Sequence, residues 1–294
     1  MDDNLPTDVR NVLTVDVEEY FQVEAFSEFI NKEDWEKYPH RVEEQTYRLL
    51  DLLDSYEIKG TFFVLGWLAE RNPSLIKKIH DAGHEIASHG FEHTMVTKLT
   101  REEFRRDIRR SKNILEKITE TEIKGYRAPT FSIVKETDWA YEILLEEGFQ
   151  YSSSVYPIKH DRYGWPEFGI TPRIMAKNGV LEIWEVPMSA GQLGPMHIPF
   201  AGGGYLRVYP LFITKWFLNQ FRRNGKSIIM YIHPWELDGH HPAVKAPFLR
   251  RMRHLYGIPS VFKKLDRLLK ILKFDTMENL VNRLKMSRES SFGK

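Results

Sequence analysis

An acidic pair lies at the end of the first apolar run of the chain. Asp16 lies within the run 12–17 and Glu18 directly follows that run, so the two residues are two positions apart. Side chains alternate along a strand, so both carboxylates are expected on one side. Neighbouring carboxylates repel unless a cation lies between them or one holds a proton, so the pair predicts a metal ligand or a general base. A solvated strand end is the other interpretation, and Glu19 or Glu24 would replace Glu18 if the register shifted.

Two histidines with metal-ligand spacing follow later. His89 and His93 are four residues apart in the segment 84–93. On a helix this separation places both imidazoles on one face, where they can reach one ion. The same spacing is common among surface and packed histidines, so by itself it is weak evidence for a metal site.

Two more polar residues follow β-rich runs. Arg127 comes after residues 123–126, where an arginine can pair with a buried carboxylate, keep it ionised and fix its direction. His233 comes after the apolar run 228–232, and imidazole titrates near neutral pH, which suits a proton donor or acceptor. A structural ion pair and a packed core histidine are the competing interpretations.

Short strands alternate with helical patterns along most of the chain, and this order predicts a mainly parallel sheet covered by helices. No glycine-rich phosphate loop follows the first strand, which favours a barrel over a nucleotide-binding open sheet. The connections 156–179 and 190–204 are long and rich in glycine and aromatic residues. The predicted strands are residues 12–17, 61–65, 85–88, 123–126, 181–186, 227–232 and 272–274. The predicted helices are residues 42–56, 73–82, 101–118, 137–147, 209–221, 259–270 and 276–284.

The polar groups share one position in this order, because each lies where a predicted strand ends and its connection begins. In a parallel barrel these ends meet on one face, where barrel active sites lie. Two histidines and a carboxylate also match a catalytic divalent site with an open coordination position. The residues concerned are Asp16 with Glu18, His89, Arg127 and His233.

Composition narrows the chemistry and the partners. The 294 residues include 42 Lys plus Arg and 41 Asp plus Glu, a formal charge of +1 that provides no long-range attraction for nucleic acid. The absence of cysteine excludes disulfides, thiolate zinc sites and a cysteine nucleophile, so a metal site must use His, Asp and Glu. Residues 1–11 lack the features of a targeting signal and no apolar stretch of about 18 residues occurs. We therefore expect no transmembrane segment and a cytoplasmic location.

These segments, in order, resemble the motifs of a known family. They are similar to those of the polysaccharide deacetylases of the NodB homology type, carbohydrate esterase family 4, over residues 12–233. The branch found at bacterial exopolysaccharide and exosortase loci resembles this chain most closely. It does so at residues 15–23, 160–164, 202–207 and 233–236.

The resemblance implies a fold and an activity. The fold is a distorted (β/α) barrel of seven or eight mainly parallel strands with helices outside. It forms one domain over residues 1–294, with a C-terminal extension from about residue 240 packed on the barrel. The activity is metal-dependent removal of N-acetyl groups from the amino sugars of a polysaccharide or its precursor. The partner is then an N-acetylated polysaccharide or oligosaccharide.

The resemblance also assigns roles to residues. It implies one divalent ion, expected to be zinc, which polarises the acetamide oxygen and lowers the pKa of water. Asp16 takes the proton of that water, and His233 protonates the departing amine. The ion and the Thr130 backbone N–H are the candidate donors to the oxyanion. The other assigned residues are the metal ligands Glu18, His89 and His93 and the base-orienting Arg127.

The chain departs from the family pattern at two motifs. Many members carry two adjacent aspartates at the first motif, so the ligand here is Glu18 or Glu19. The aspartate that steadies the arginine is not evident in residues 151–157, where Asp161 and Glu236 are the candidate substitutes.

Aromatic residues near these motifs are candidates for sugar binding, since aromatic rings stack on the apolar faces of sugars. Packing of the loops on the barrel is the alternative. The sugar-binding candidates are Tyr163, Trp165, Tyr205 and Trp235.

Residues 263–273 have leucines on one face and cations on the other. This pattern is typical of a barrel-covering helix, and peripheral membrane association is the alternative interpretation.

Two other functions stay open on the sequence. One is a barrel hydrolase of small cyclic or linear amides, because related branches share these motifs. The other is a non-catalytic glycan-binding protein, suggested by the missing aspartate, which would bind sugar without releasing acetate.

Overall fold

The computed structural model describes residues 10–240, 242, 244 and 246–292. The expectation about a targeting signal therefore falls largely on residues 1–9, outside the described part of the chain. None of the described helices combines the length and the hydropathy needed to cross a membrane.

The chain alternates strands and helices, as the sequence predicts. The strands are β1 (Asn11–Val17), β2 (Thr61–Val64), β3 (Glu85–Ser88), β4 (Gly125–Tyr126), β5 (Tyr151–Ser152), β6 (Arg173–Asn178), β7 (Leu181–Glu185), β8 (Ala190–Leu193), β9 (Met196–Pro199), β10 (Ile229–Ile232) and β11 (Phe274–Asp275). The helices are α1 (Val42–Asp54), α2 (Gly66–Arg71), α3 (Pro73–Asp81), α4 (Arg101–Thr119), α5 (Ala140–Glu146), α6 (Gly203–Val208), α7 (Leu211–Arg223), α8 (Phe248–Leu255), α9 (Ile258–Leu269) and α10 (Met277–Phe292).

Nine strands form one sheet in the order β10-β1-β2-β3-β4-β5-β7-β6, with β11 beside the start of β1. Every neighbouring pair from β10 to β7 is parallel, and only β6 runs antiparallel to its neighbour β7. The mainly parallel α/β fold is thereby confirmed. Among the described residues no ladder joins β10 to β6, so the barrel is distorted at this seam. Gly202 instead forms a parallel bridge with Tyr231 of β10.

The central strands are apolar because both of their faces are covered. All residues of β1 and β2 are buried, as expected for parallel strands between a barrel interior and a layer of helices. The longest of the helices that precede β4, α4, begins with a capping box between Thr100 and Glu103 and buries Phe104 and Ile108. These elements hold the strand ends rigidly, which is what a site of distant residues requires.

The C-terminal segment joins the same fold. Leu265 and Leu268 of α9 are fully buried, so the barrel-covering interpretation of residues 263–273 is confirmed and the membrane alternative for that helix is wrong. β11 then pairs with β1. The two long connections also contain structure that the sequence did not predict, namely β6 in the first and the β8–β9 hairpin in the second.

Candidate metal centre and active site

The carboxyl ends of four parallel strands meet at one edge of the sheet, as the sequence predicts. Asp16 lies near the end of β1 and Glu18 directly follows it, and the segments after β3, β4 and β10 supply the histidines and the arginine. Nearly all of these side chains are buried, and Arg127 is completely so. Burying a guanidinium or a carboxylate away from water costs free energy. Such groups are therefore found buried only where each has a partner of opposite charge or a bound cation.

Glu18, His89 and His93 converge on one small space. Their ligand atoms lie within 4.8 Å of one another. Glu18 Oε2 is 2.7 Å from His93 Nε2 and 4.0 Å from His89 Nε2. Glu18 Oε2 is buried without a hydrogen bond of suitable geometry, even though His93 is close. An orphaned oxygen beside two imidazole nitrogens is what a shared cation would satisfy, so these residues fit a divalent ion.

Electrostatics favours an ionised Glu18. Burial alone raises the pKa of this carboxyl, but the charges of His93 and His233 outweigh it and bring the pKa to about 2. For His89 burial dominates and lowers the pKa to about 4, so this imidazole is neutral. A carboxylate and a neutral imidazole are the protonation states that bind metals.

The two candidate metal-ligand histidines do not share a helical face. His89 directly follows β3, and the chain then turns so that His93 adopts a positive φ of 52°. The predicted helical arrangement is therefore wrong, although the rings do meet, with centroids 5.3 Å apart. His89 Nδ1 lies 2.9 Å from the Arg127 carbonyl oxygen. That contact fixes the proton on Nδ1 and leaves Nε2 free to bind an ion.

Asp16 is oriented by Arg127. The guanidinium Nη1 donates to Asp16 Oδ1 at 2.6 Å and to Thr14 Oγ1 at 2.7 Å. The second oxygen, Asp16 Oδ2, faces His233 Nε2 at 3.9 Å. One oxygen of Asp16 is thus held by the arginine while the other faces the site.

Ser153 holds the other side of the arginine. Arg127 Nε donates to the Ser153 carbonyl oxygen and Nη2 to its hydroxyl, both at 3.0 Å. The two residues expected to replace the missing aspartate, Asp161 and Glu236, do not hold Arg127, so that expectation is wrong. Asp161 is exposed and pairs with His160, whereas Glu236 binds His233.

A buried glutamate shapes the loop that carries Ser153. Glu185 Oε1 accepts the backbone N–H groups of Ser154 and Val155, each at 2.8 Å, and Tyr141 donates its hydroxyl to Oε2. Burial raises the pKa of Glu185. Sequence reasoning missed Ser153 and Glu185; the available signal was a charged residue inside the otherwise apolar run 181–186.

His233 is fixed by Glu236 and Arg207. His233 Nδ1 is 3.0 Å from Glu236 Oε2, and Arg207 Nε is 2.9 Å from Glu236 Oε1. His233 Nε2 then points at Glu18 Oε1, 3.6 Å away. Burial lowers the pKa of His233, but the charges of Glu18 and Glu236 outweigh it and raise the pKa to about 9.

The alternative acidic ligands lie outside this cluster. Glu19 is buried, but its carboxylate accepts the backbone N–H groups of Arg41 and Val42 at the start of α1. Glu24 pairs with a surface lysine. Of the three glutamates considered from the sequence, Glu18 is the one that faces the histidines.

Trp235 is not available for stacking on a sugar, which corrects its predicted role. It is buried, and its ring faces are covered by His233 at 5.2 Å and His254 at 4.3 Å between centroids. Its Nε1 donates to Glu18 Oε1 at 3.3 Å. Trp235 therefore orients the carboxylate of Glu18, the candidate metal ligand.

The other predicted aromatic residues are partly exposed. Tyr163 stacks on His160 with centroids 3.9 Å apart and lies 6.3 Å from Tyr156. Tyr205 also packs edge-on against Tyr156. Trp165 packs edge-on against Phe168 at 5.1 Å. Tyr163 and Tyr205 thus belong to one aromatic cluster with Tyr156 and Tyr231, and Tyr231 contacts His233.

Backbone strain concentrates beside the site. Five described non-glycine residues have a positive φ, and His93, Thr130 and Phe131 are three of them. Such conformations cost free energy and persist where the surrounding structure enforces them, often at functional sites. The strained pair Thr130-Phe131 follows Arg127 closely, where the resemblance places the oxyanion donor.

Comparison with known proteins gives two adjoining matches. Residues 34–146 match the polysaccharide deacetylase model, and residues 153–282 match DUF3473, a domain of unknown function. A peptidoglycan-N-acetylglucosamine deacetylase of Bacillus cereus is 34% identical over 100 residues, which cover 34% of this chain and 36% of that protein. A peptidoglycan deacetylase of Helicobacter pylori is 32% identical over 108 residues, 37% of this chain and 36% of that protein. The chain thus spans well under half the length of either relative.

Solved structures share the fold over almost the whole chain. A candidate polysaccharide deacetylase of Mycobacterium smegmatis superposes with a TM-score of 0.61 at 20% identity, covering 96% of this chain and 93% of that one. PuuE allantoinase gives a TM-score of 0.62 at 15% identity, covering 94% and 91%. At such identities the likeness concerns the fold. The family match identifies residues 34–146 as a polysaccharide deacetylase region, which adjoins the region that matches DUF3473.

Proposed function

We propose that this protein is a metal-dependent hydrolase that removes N-acetyl groups from the amino sugars of a polysaccharide or its precursor. The observation that carries the proposal is the buried, unsatisfied Oε2 of Glu18 between His89 and His93. Asp16 and His233 flank this cluster, each with one polar atom directed toward it. A ligand set flanked by a candidate base and a candidate acid suits amide hydrolysis.

The metal site supplies electrophilic chemistry. Glu18, His89 and His93 would hold a divalent ion, with zinc the expected ion, and the bound ion would supply polarisation of an amide oxygen and activation of water. The neutral state of His89 and the ionised state of Glu18 suit this binding.

The flanking residues move the protons. Asp16 keeps Oδ2 available to take a proton from water, because Arg127 holds only Oδ1. Water oxygen bonds to the acetyl carbon, the carbon–nitrogen bond breaks, and acetate leaves. His233 Nε2 gives a proton to the amine nitrogen. The contact of Glu236 with Nδ1 holds the imidazole ring of His233 in the orientation that this transfer needs.

The substrate class follows from the family and from the surface beside His233. Curated relatives with the same domain are named as peptidoglycan deacetylases. Tyr163 and Tyr205 are partly exposed there and offer ring faces or edges to a sugar. An N-acetylated glycan is the substrate that this combination favours.

Acetate release tests the proposal. Wild-type protein supplied with zinc is expected to release acetate from N-acetylglucosamine oligosaccharides and to leave small cyclic amides intact. Asp16→Asn should lower the rate about 100-fold or more while the protein keeps its metal, because the base is lost and the ligands remain. Glu24→Gln is the matched control, since that carboxylate lies outside the cluster and pairs with Lys98.

Three outcomes would contradict this function. Sugar binding without acetate release, with zinc supplied, would indicate a glycan-binding protein. Release from small amides alone would indicate a different substrate class. Equal rates for wild type and Asp16→Asn would remove Asp16 from the mechanism.

A further inference from the structure

Helix α8 exposes an apolar face to solvent. Four further large apolar side chains lie one, four, seven and eight positions after Phe248. The first three share one side of the helix with Phe248, and the fourth belongs to the residue that directly follows the helix. We call this set the α8 face. It consists of Phe248 (65% exposed), Leu249 (74%), Met252 (49%), Leu255 (41%) and Tyr256 (60%).

The α8 face is bordered by cations. The helix carries three arginines and no acidic residue. Arg250 pairs with Glu28 at 2.9 Å. Among the described residues, no carboxylate lies within ion-pair distance of Arg251 or Arg253. Within the described part of the chain, the two positive charges beside the apolar side chains therefore have no acidic partner.

The opposite side of α8 packs beside the metal centre. His254 is buried and stacks on Trp235, with ring centroids 4.3 Å apart. Trp235 in turn donates to Glu18. Arg207, the partner of Glu236, also donates to the His254 carbonyl oxygen. The α8 face is thus the outer surface of the wall that carries the candidate site.

A shallow apolar groove runs along the same helix. Its volume is about 160 Å³. Phe26 and Val244 line it together with Phe248, Met252 and Leu255. The exposed side chains and the groove form one apolar surface rather than scattered single residues.

We propose that the α8 face docks on a bilayer surface that contains anionic lipid. An amphipathic helix with large apolar side chains and flanking arginines lies in the headgroup region of such a surface. Charge complementarity selects this occupant, because a second copy of the chain would bring Arg251 and Arg253 against identical cations. The net charge of +1 is no obstacle, since the attraction is local to the helix.

Docking in this orientation brings the candidate site close to lipid headgroups. A glycan carried on a lipid would then meet the site without leaving the membrane. The inference itself concerns a surface and is measured without turnover, so it stands or falls separately from the proposed function.

Vesicle co-sedimentation of the full chain tests the proposal. Wild-type protein is expected to bind vesicles of phosphatidylcholine with phosphatidylglycerol, to bind phosphatidylcholine alone more weakly, and to dissociate as salt is raised. Phe248→Ser with Leu249→Ser should lower binding about tenfold or more, because the inserted apolar area is lost. Val180→Ser with Leu181→Ser is the matched control, since these side chains are 95% and 58% exposed on another part of the surface.

A charge series separates the electrostatic part. Arg251→Gln with Arg253→Gln is expected to reduce binding to the anionic vesicles to the level seen with phosphatidylcholine alone. Arg222→Gln with Arg223→Gln, two exposed cations at the end of α7, should leave binding unchanged. All substituted residues except Arg251 are exposed, so thermal unfolding of the variants should match wild type and confirm that each folds.

The proposal is overturned if wild type binds neither vesicle, or if the control pairs lose as much binding as the α8 pairs. It is also overturned if sedimentation equilibrium shows a wild-type dimer that Phe248→Ser with Leu249→Ser converts to monomer while vesicle binding stays the same. That result would make the α8 face a contact between copies.

Discussion

Two carboxylates that are two residues apart receive different partners in this site. Asp16 is held by the Arg127 guanidinium, whereas Glu18 faces imidazoles and keeps one oxygen without a hydrogen bond. Different surroundings give chemically identical groups different tasks, as in other paired-carboxylate sites. Asp16 is thereby suited to proton transfer and Glu18 to cation binding.

The contact between His233 and Glu236 makes a prediction at the scale of one residue. Glu236→Gln removes a negative charge 3.0 Å from Nδ1, so the pKa of His233 should fall. In the proposed mechanism the protonated form of His233 is the donor, so the alkaline limb of the profile of kcat against pH should move to lower pH. The rate at neutral pH should fall about tenfold with little change in KM.

A structural role alone for Glu236 would give another result. Glu236→Gln would then change thermal stability while the alkaline limb stayed at the wild-type pH. Glu24→Gln serves as the control for removing a carboxylate elsewhere.

At the scale of elements, the accuracy of the sequence analysis followed the burial of each strand. The predicted limits of β3 are correct and those of β1 and β2 differ by one residue, because nearly all residues of these strands are buried. β6 and the β8–β9 hairpin were missed, because they are half-exposed antiparallel strands in loops whose pattern is not apolar.

Positions after strand ends could be predicted, but contacts between loops could not. Asp16 lies near the end of β1, and His89, Arg127 and His233 directly follow β3, β4 and β10. The sequence reveals each of these strands, so the meeting of the four residues was predictable from a parallel order. The hydrogen bonds from Arg127 to Ser153 depend on the turn after β5, and the pairing of Glu236 with His233 depends on the turn after β10. Spacing along one chain holds no information on such turns.

Gly202 gives a prediction about how the loop before α6 closes on β10. Its φ is 126°, and a Cβ placed there would overlap the carbonyl oxygen of Tyr231. Gly202→Ala should therefore lower the free energy of unfolding by at least about 3 kcal/mol. Gly194→Ala is the matched control, since Gly194 also has a positive φ of 58° but has no atom within 4 Å of a Cβ, and it should cost about 1 kcal/mol.

Chemical denaturation of the two variants measures this difference. Equal losses in Gly202→Ala and Gly194→Ala would show that backbone conformation alone matters and that the close approach to β10 does not.

At the scale of the whole molecule, the candidate site crosses the boundary between the two family matches. His89, His93 and Arg127 lie in the region 34–146, whereas Ser153 and His233 lie in the DUF3473 region 153–282. One sheet runs through both regions, since β1 pairs with β2 on one side and β10 on the other. The DUF3473 region is thus part of the same structural unit as the site.

The opposite end of the sheet makes global stability depend on pH. Glu85 accepts hydrogen bonds from Thr61 Oγ1 at 2.6 Å, from the backbone N–H of Glu278 and from the Tyr151 hydroxyl. Burial raises its pKa from 4.5 to about 7. The unfolded chain ionises this carboxyl at lower pH than the folded one does, so its contribution to stability is lost as pH rises from about 4.5 to about 7.

Glu85→Gln removes that titration. Compared with the variant, wild type should lose stability across this pH window, as measured by urea unfolding at pH 4.5 and pH 7. Parallel changes in the two proteins would show that Glu85 is not responsible.

The metal content of the purified protein is the most direct test of the central claim, that Glu18, His89 and His93 hold one ion. Elemental analysis should find about one equivalent of a divalent metal in wild type and in Asp16→Asn, and almost none in Glu18→Gln, His89→Ala or His93→Ala. Full metal content in the histidine variants, or a wild type that binds no metal when zinc is supplied, would contradict it.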